Sequence, residues 1–220
     1  MHKYIIMGVQ GCGKGTQARL LEEAYDIVHI SVGEIFRWHI QSHTKLGARV
    51  RRIIDAGKLV GDEVVEEIIS SRLAEHDWNF GFVLDGFPRN ATQTEFFLER
   101  YDIDAVIHLV IPDEVVKERV LARRLCSKCG LDYNLIHHRP AVPETCDVCG
   151  GALIIRADDT EQALTSRLQD YRSKTEPVLH LFRRKELVIE IDGTGSVQDV
   201  HEQIRERLSL PIEQGEFSKP

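Results

Sequence analysis

The stretch GVQGCGKGTQ, residues 8–17, follows the apolar run KYIIM directly. Gly8, Gly13 and Lys14 have G-x-x-x-x-G-K spacing. A loop of this kind between a buried strand and a helix commits the chain to an α/β architecture. In it, backbone N–H groups and a helix N-terminus face an anion. The glycines let the backbone take positive φ and approach a phosphate closely. Lys14 adds a point charge that can follow a transferring phosphoryl group. Strand, loop and helix come in the right order, which argues against a glycine-rich turn that binds nothing. The loop has one anomaly. Gly15 and Thr16 stand where the common pattern places its Mg²⁺-ligating hydroxyl directly after the lysine. Moving that hydroxyl one residue along a helix turns it by about 100°, so it cannot do the same job.

The rest of the chain keeps the alternation that the loop starts. Short continuous apolar runs (KYIIMG, IVHIS, GFVLDG, DAVIHLVI and ELVIEID) alternate with segments of helical spacing. Continuous rather than alternating strands predict a parallel sheet buried on both faces. The helical segments are GKGTQARLLEEAY, GEIFRWHIQSH, LGARVRRIIDAG, GDEVVEEIISSRLAEH, ATQTEFFLER, PDEVVKERVLARRL and SVQDVHEQIRERLS, with one long helix over residues 160–185 bent near Pro177. Asp62 and Glu63 are expected to start a helix near its positive end. Residues 31–61 are helical without a strand, and residues 126–158 carry cysteines, so both read as lobes inserted into the core. PIEQGEFSKP reads as a loose polar tail.

A net charge of -7 argues against broad nucleic-acid or membrane-surface binding, since both need a basic face. The apolar start is too short for a secretory signal, and no stretch approaches the roughly 20 apolar residues of a membrane span. A cytoplasmic protein is the expectation. In that compartment Cys126, Cys129, Cys146 and Cys149, two C-x-x-C knuckles with sixteen residues between them, predict tetrahedral Zn²⁺ rather than disulfides or redox-active thiols. His137 and His138 would exceed four ligands and are expected to face solvent. Cys12 sits beside Lys14 near a helix start, which would lower its pKa. It is read as a small residue at a variable loop position, with redox sensing as the other reading.

GCGKGTQA, DGFPR (residues 85–89) and DAGKLVGDE (residues 55–63) together resemble the adenylate kinase family of nucleoside monophosphate kinases. The resemblance spans about residues 3–208 and includes the family's longer lid. It implies a P-loop NTPase core of class α/β, with a parallel five-stranded sheet flanked by helices. To this it adds a helical NMP-binding lobe and a zinc-bearing lid. The expected division is 1–30, 62–125 and 160–220 for the core, 31–61 for the NMP lobe and 126–159 for the lid. In that family Gly-Thr after the lysine is normal, and Mg²⁺ sits among phosphate oxygens and waters.

Roles follow from the resemblance. Gly11, Cys12, Gly13, Lys14, Gly15 and Thr16 would hold ATP, with Arg119, Arg123 and Tyr133. Arg119 and Arg123, four apart, are expected on one helix face. Ser31, Val32, Arg37, Lys58, Leu59, Val60, Gly86, Arg89 and Gln93 would hold AMP, and Arg156 and Arg167 would close over both phosphates. Asp85 would orient a water on Mg²⁺. Asp158 and Asp159 would help lid closure, with Asp158 holding Arg156. Arg124 is expected outward. An amide at Gln93 suits the adenine edge. Val32 stands where adenylate kinases commonly have Thr, which removes one polar contact to the base. Gln10 replaces a common proline and is expected to be exposed.

These residues predict a reversible transfer from Mg-ATP to AMP giving ADP, by a monomer acting on small molecules. The runner-up is a related kinase for UMP or CMP. A zinc-ribbon protein that contacts nucleic acid and uses ATP as a switch is disfavoured by the acidic balance and the absence of interleaved aromatics. A zinc-stabilised scaffold with a dead nucleotide site is disfavoured by the retained lysine and arginines.

Overall fold

A computed structural model describes residues 2–77, 80–136, 138–156 and 158–212. His137 and the tail from residue 213 lie outside the described residues. The chain runs β1 (Lys3–Met7), α1 (Lys14–Tyr25), β2 (Val28–Ser31), α2 (Val32–Gln41), α3 (Lys45–Asp55), α4 (Asp62–Glu75), β3 (Phe82–Asp85), α5 (Ala91–Leu98) and β4 (Ala105–Val110). It continues with α6 (Asp113–Leu121), β5 (Arg123–Cys126), β6 (Asp132–Asn134), β7 (Leu153–Ile154), α7 (Glu161–Asp170), a π-helical turn (Tyr171–Thr175), α8 (Glu176–Arg184), β8 (Val188–Asp192) and α9 (Val197–Arg207).

Among the described residues, five strands form one sheet in the order β2-β3-β1-β4-β8, and every pairing in it is parallel. The apolar runs explain the burial on both faces. Tyr4 and Ile6 enter one core cluster with α1, α6 and α9, while Ile5 and Met7 enter the other with α2, α4, α5 and α8. Burying one such side chain stabilises by about 1.5–3 kcal/mol. β1 lies between β3 and β4, so its carboxyl end is the crevice where open α/β sheets bind ligands. Register brings the carboxyl ends together: Ile6 pairs with Asp85, and Ser31 also pairs with Asp85.

Helix starts follow the sequence closely. Ser31, Thr44, Asn90, Thr160 and Ser196 cap α2, α3, α5, α7 and α9 through their side chains. α4, α6 and α8 lack a side-chain cap but carry acidic residues in the first turn. Among the described α-helices, only α1 has neither. Its first-turn N–H groups are therefore left for an anion.

Two expectations are corrected. The helix from Pro112 ends at Leu121, and Arg123 lies on β5, so Arg119 and Arg123 do not share a helix face. Antiparallel pairing of Arg123 with Asn134 and of Leu125 with Ile154 overrides the local helical spacing. The long segment from residue 160 is also not one bent helix. A π-helical turn separates α7 from α8 just before Pro177. Proline has no N–H and its ring crowds the carbonyl four residues back, and a wider turn absorbs both. The turn that follows α3 docks closely on α7. At Gly57, where φ is 72°, a Cβ would lie 2.6 Å from the Ala163 carbonyl oxygen.

Candidate active site

The loop between β1 and α1 lies at the floor of a cavity of about 620 Å³. Every residue expected to contact ATP or AMP lines it. Gly13 has φ of 100° and nothing within 4 Å of a built Cβ, so the loop is open at this point. Gly8 is tighter: a Cβ there would lie 2.6 Å from the Leu109 carbonyl oxygen. Lys14 Nζ donates to the carbonyls of Gly8 at 2.9 Å and Val9 at 2.8 Å, which holds it across the loop. Cys12 is buried beneath the loop. Burial pushes its thiol pKa up despite the nearby Lys14, which corrects the expected lowering and removes the basis for a redox-sensing thiol.

Asp85 faces this loop. A Cβ built on Gly15 would lie 3.5 Å from Asp85 Oδ2, so the carboxylate stands beside the place where other phosphate loops carry their hydroxyl. Burial alone would raise the Asp85 pKa, but His29, Lys14 and Arg89 together hold it below the usual carboxylate range. The buried His29 Nε2 is 3.9 Å from Asp85 Oδ2. The carboxylate is thus kept ionised where a hydrated divalent cation on phosphate needs an acceptor, so these residues fit Mg²⁺.

The arginines converge from distant segments. Arg89 Nε donates to the Gly86 carbonyl at 2.8 Å, and burial, then the neighbouring Arg167, lowers its pKa. The Arg37 pKa is lowered to about 10, first by burial and then by the charge of Arg156. Among the described residues, the Arg37 guanidinium makes no hydrogen bond, so this half-buried cation on the cavity wall calls for an anion. Arg119 donates to the carbonyls of Gly193 at 2.8 Å and Thr194 at 3.3 Å. Arg123 grips Asp159 with two donors. Arg156 grips Asp158 likewise, at 3.1 and 3.0 Å, and Arg167 joins the same carboxylate. Arg124 does not line the cavity; it curls back on the carbonyls of Leu121 and Arg123.

Sequence reasoning missed several residues here. Gln10 is half-buried rather than exposed, and its Nε2 donates to Asp159 Oδ1 at 3.0 Å, tying the phosphate loop to the segment that follows the cysteines. Thr175, in the π-helical turn, donates to the Arg89 carbonyl at 2.8 Å. Asp132 lines the cavity with one buried oxygen that has no hydrogen-bond partner among the described residues. Asp62 starts α4 as expected but also accepts from Asn90 Nδ2 and Gln93 Nε2, each at 2.8 Å. These contacts span 28 to 149 positions, and local spacing carries no signal of them.

The four cysteines meet in the small antiparallel sheet β6-β5-β7, with all four Sγ atoms within 4.8 Å of one another. They are free thiols, with Sγ–Sγ separations of 3.4 Å (Cys126–Cys149) and 3.6 Å (Cys129–Cys146). Tetrahedral thiolates about 2.3 Å from one ion are about 3.8 Å apart, so the set fits a single metal. Tyr133 is buried in this lobe. Its hydroxyl donates to Cys146 Sγ at 3.5 Å and accepts from the Asp147 N–H at 2.8 Å. Tyr133 also lines the cavity. The exposed His138 stacks on its ring at 4.9 Å.

A phosphate loop open at α1, a lysine across it, an ionised aspartate beside it and arginines from several segments define a nucleotide-dependent phosphotransferase of the P-loop class. The family model described as adenylate kinase matches residues 6–187. Similar curated proteins named adenylate kinase come from Clostridium tetani (40% identical over 91% of this chain and 95% of the relative), Acetivibrio thermocellus (37%, 94% and 98%) and Methanothrix thermoacetophila (38%, 93% and 97%). The chain belongs to the adenylate kinase family.

Proposed function

We propose that this chain transfers the γ-phosphoryl group of Mg-ATP reversibly to AMP, giving two ADP. The observation that carries this reading is the convergence of Lys14, Arg37, Arg89, Arg123, Arg156 and Arg167 on one cavity beside Asp85. Phosphoryl transfer needs in-line positioning and positive charge on the transferring oxygens, and little covalent help. Gly11 to Thr16 hold the donor phosphates, with Arg119 beside them. Arg37 and Arg89 hold the acceptor phosphate. An oxygen of that phosphate attacks the γ-phosphorus as the bond to the β-γ bridging oxygen breaks, and ADP leaves. Arg123, Arg156 and Arg167 neutralise the charge spread over the transferring group. Bound Mg²⁺ supplies further charge neutralisation, with Asp85 orienting its water.

The acceptor base lies against Ser31, Val32, Gln93 and the linker Lys58, Leu59 and Val60. Val32 is buried there without a hydroxyl, so Gln93 carries the base reading. The cysteine set holds one structural Zn²⁺, which keeps the lobe of residues 126–159 rigid as a lid. Lobes 31–61 and 126–159 close on the core of 1–30, 62–125 and 160–220, with Asp158 and Asp159 guiding the lid. Closure expels water and suppresses ATP hydrolysis. Among the described residues no helix is long and apolar enough to cross a membrane, and the protein is proposed to act as a free monomer on small nucleotides in the cytoplasm.

Steady-state rates with AMP, UMP, CMP and GMP test the reading. AMP is expected to give the highest kcat/KM. Faster transfer to UMP or CMP would favour the pyrimidine kinase instead, and no transfer to any acceptor would sink the enzyme reading.

A further inference from the structure

We infer that Asp62 is a positioning residue that locks the Gln93 amide in one orientation and thereby sets which base edge the acceptor pocket takes. The inference rests on Gln93 meeting the acceptor base. Gln93 is 2% exposed and its amide is held at both ends. Oε1 accepts from the Arg89 N–H at 2.8 Å, and Nε2 donates to Asp62 Oδ1 at 2.8 Å. The same carboxylate oxygen accepts from Asn90 Nδ2 at 2.8 Å, while Asn90 Oδ1 accepts from the Gln93 N–H at 2.9 Å. The clamp therefore joins the first turn of α4 to the cap of α5.

Donor and acceptor chemistry makes the lock one-way. An ionised carboxylate only accepts and a backbone N–H only donates. Turning the amide over would set oxygen against carboxylate and N–H against N–H, losing both bonds at once. With the orientation fixed, Gln93 retains one N–H on Nε2 and one lone pair on Oε1 for a ligand. Together they match a base edge carrying a ring-nitrogen acceptor beside an exocyclic amino donor, which adenine has. Hypoxanthine has the same size and shape but presents the reverse order, a carbonyl acceptor beside a ring N–H. A free amide would flip and accept either. Gln93 alone gives the pocket its amide, and Asp62 gives that amide its polarity.

The test compares kcat/KM for AMP and IMP, with melting curves to check folding. The parent is expected to prefer AMP. Asp62→Ala is expected to lower the AMP/IMP ratio by about tenfold or more, through a higher KM for AMP with kcat within about threefold. Asp62→Asn, whose Oδ1 can accept both bonds, is expected to keep the ratio within about threefold of the parent. Equal losses for AMP and IMP in Asp62→Ala would mean a merely structural role and overturn the proposal. If Gln93→Ala collapses the ratio while Asp62→Ala keeps it, the positioning role alone is overturned. If Gln93→Ala leaves the ratio unchanged, the reading beneath it falls as well. Should Asp62→Ala not fold, the Gln93 side-chain amide of the intact protein decides by NMR, assigned by its loss in Gln93→Ala. The Nε2 proton donated to Asp62 is expected to resonate downfield of its partner and to exchange with solvent more slowly, and two protons that both exchange like those of a free glutamine amide overturn the lock.

Discussion

Arg123 and Gln10 meet at one carboxylate, Asp159, although they stand far apart in the chain. Arg123 has no other carboxylate partner among the described residues, and its side chain lines the cavity. Arg123→Met is expected to lower kcat by about 10²–10³, the usual cost of losing one transition-state donor. Rates within threefold of the parent would contradict that role. Cys12 makes a second prediction at this scale. Burial raises its thiol pKa, so iodoacetamide is expected to leave it unlabelled in the native protein at neutral pH and to label it after unfolding; mass spectrometry reads both. Lys14 and Arg89 were legible because their motifs follow strand ends, whereas the other arginines were legible through the family resemblance. Gln10 is half-buried because it meets Asp159, a partner whose position only the fold supplies. Asp62 was read as a helix start, and its second role appears only once α4 and α5 are side by side.

The cysteine-bearing sheet has a very small core of its own: Cys126, Tyr133, Cys146 and Leu153, with Leu131 packed against them. Such a core cannot hold a lobe of this size, whereas a structural zinc contributes about 10–16 kcal/mol of apparent binding energy in small peptides. Elemental analysis is expected to find about one zinc per chain. Removing it by chelation is expected to cost at least about tenfold in kcat while the five-stranded core keeps its circular dichroism. Unchanged activity without metal would refute that dependence. The π-helical turn carries a separate prediction. Thr175→Val leaves the Arg89 carbonyl without its donor and is expected to destabilise the fold by about 1–3 kcal/mol, measurable by urea unfolding. At this scale the strands and helix caps were legible because apolar runs and capping residues are local signals. β5 was not, because its partners β6 and β7 lie across loops and the run ARRLC has helical spacing.

The parallel five-stranded sheet flanked by helices was legible in the rhythm of continuous apolar runs and helical segments. The charge pairing across the molecule was not. Burial would push the Asp158 carboxyl up, but Arg156 and Arg167 overcome it and hold its pKa well below the usual range. A depressed folded pKa stabilises the protein above the unfolded value of about 3.9, and this stabilisation is lost as pH falls through the folded value. It is therefore fully present near neutral pH. Asp158→Asn is expected to lower stability at pH 7 and to flatten its decline between pH 5 and 2. Parallel urea-unfolding curves for parent and variant across that range would disprove the contribution. The pairs of Arg123 with Asp159 and of Arg156 and Arg167 with Asp158 have a consequence for selectivity too. If these arginines take nucleotide phosphate as proposed, entry of a nucleotide is an exchange of anions, in which phosphate displaces a carboxylate that already holds the guanidinium. Sulfate or inorganic phosphate reaches one arginine at a time and competes poorly with a tethered aspartate. On the proposed reading, a polyphosphate that engages several arginines together can win where a lone small anion cannot.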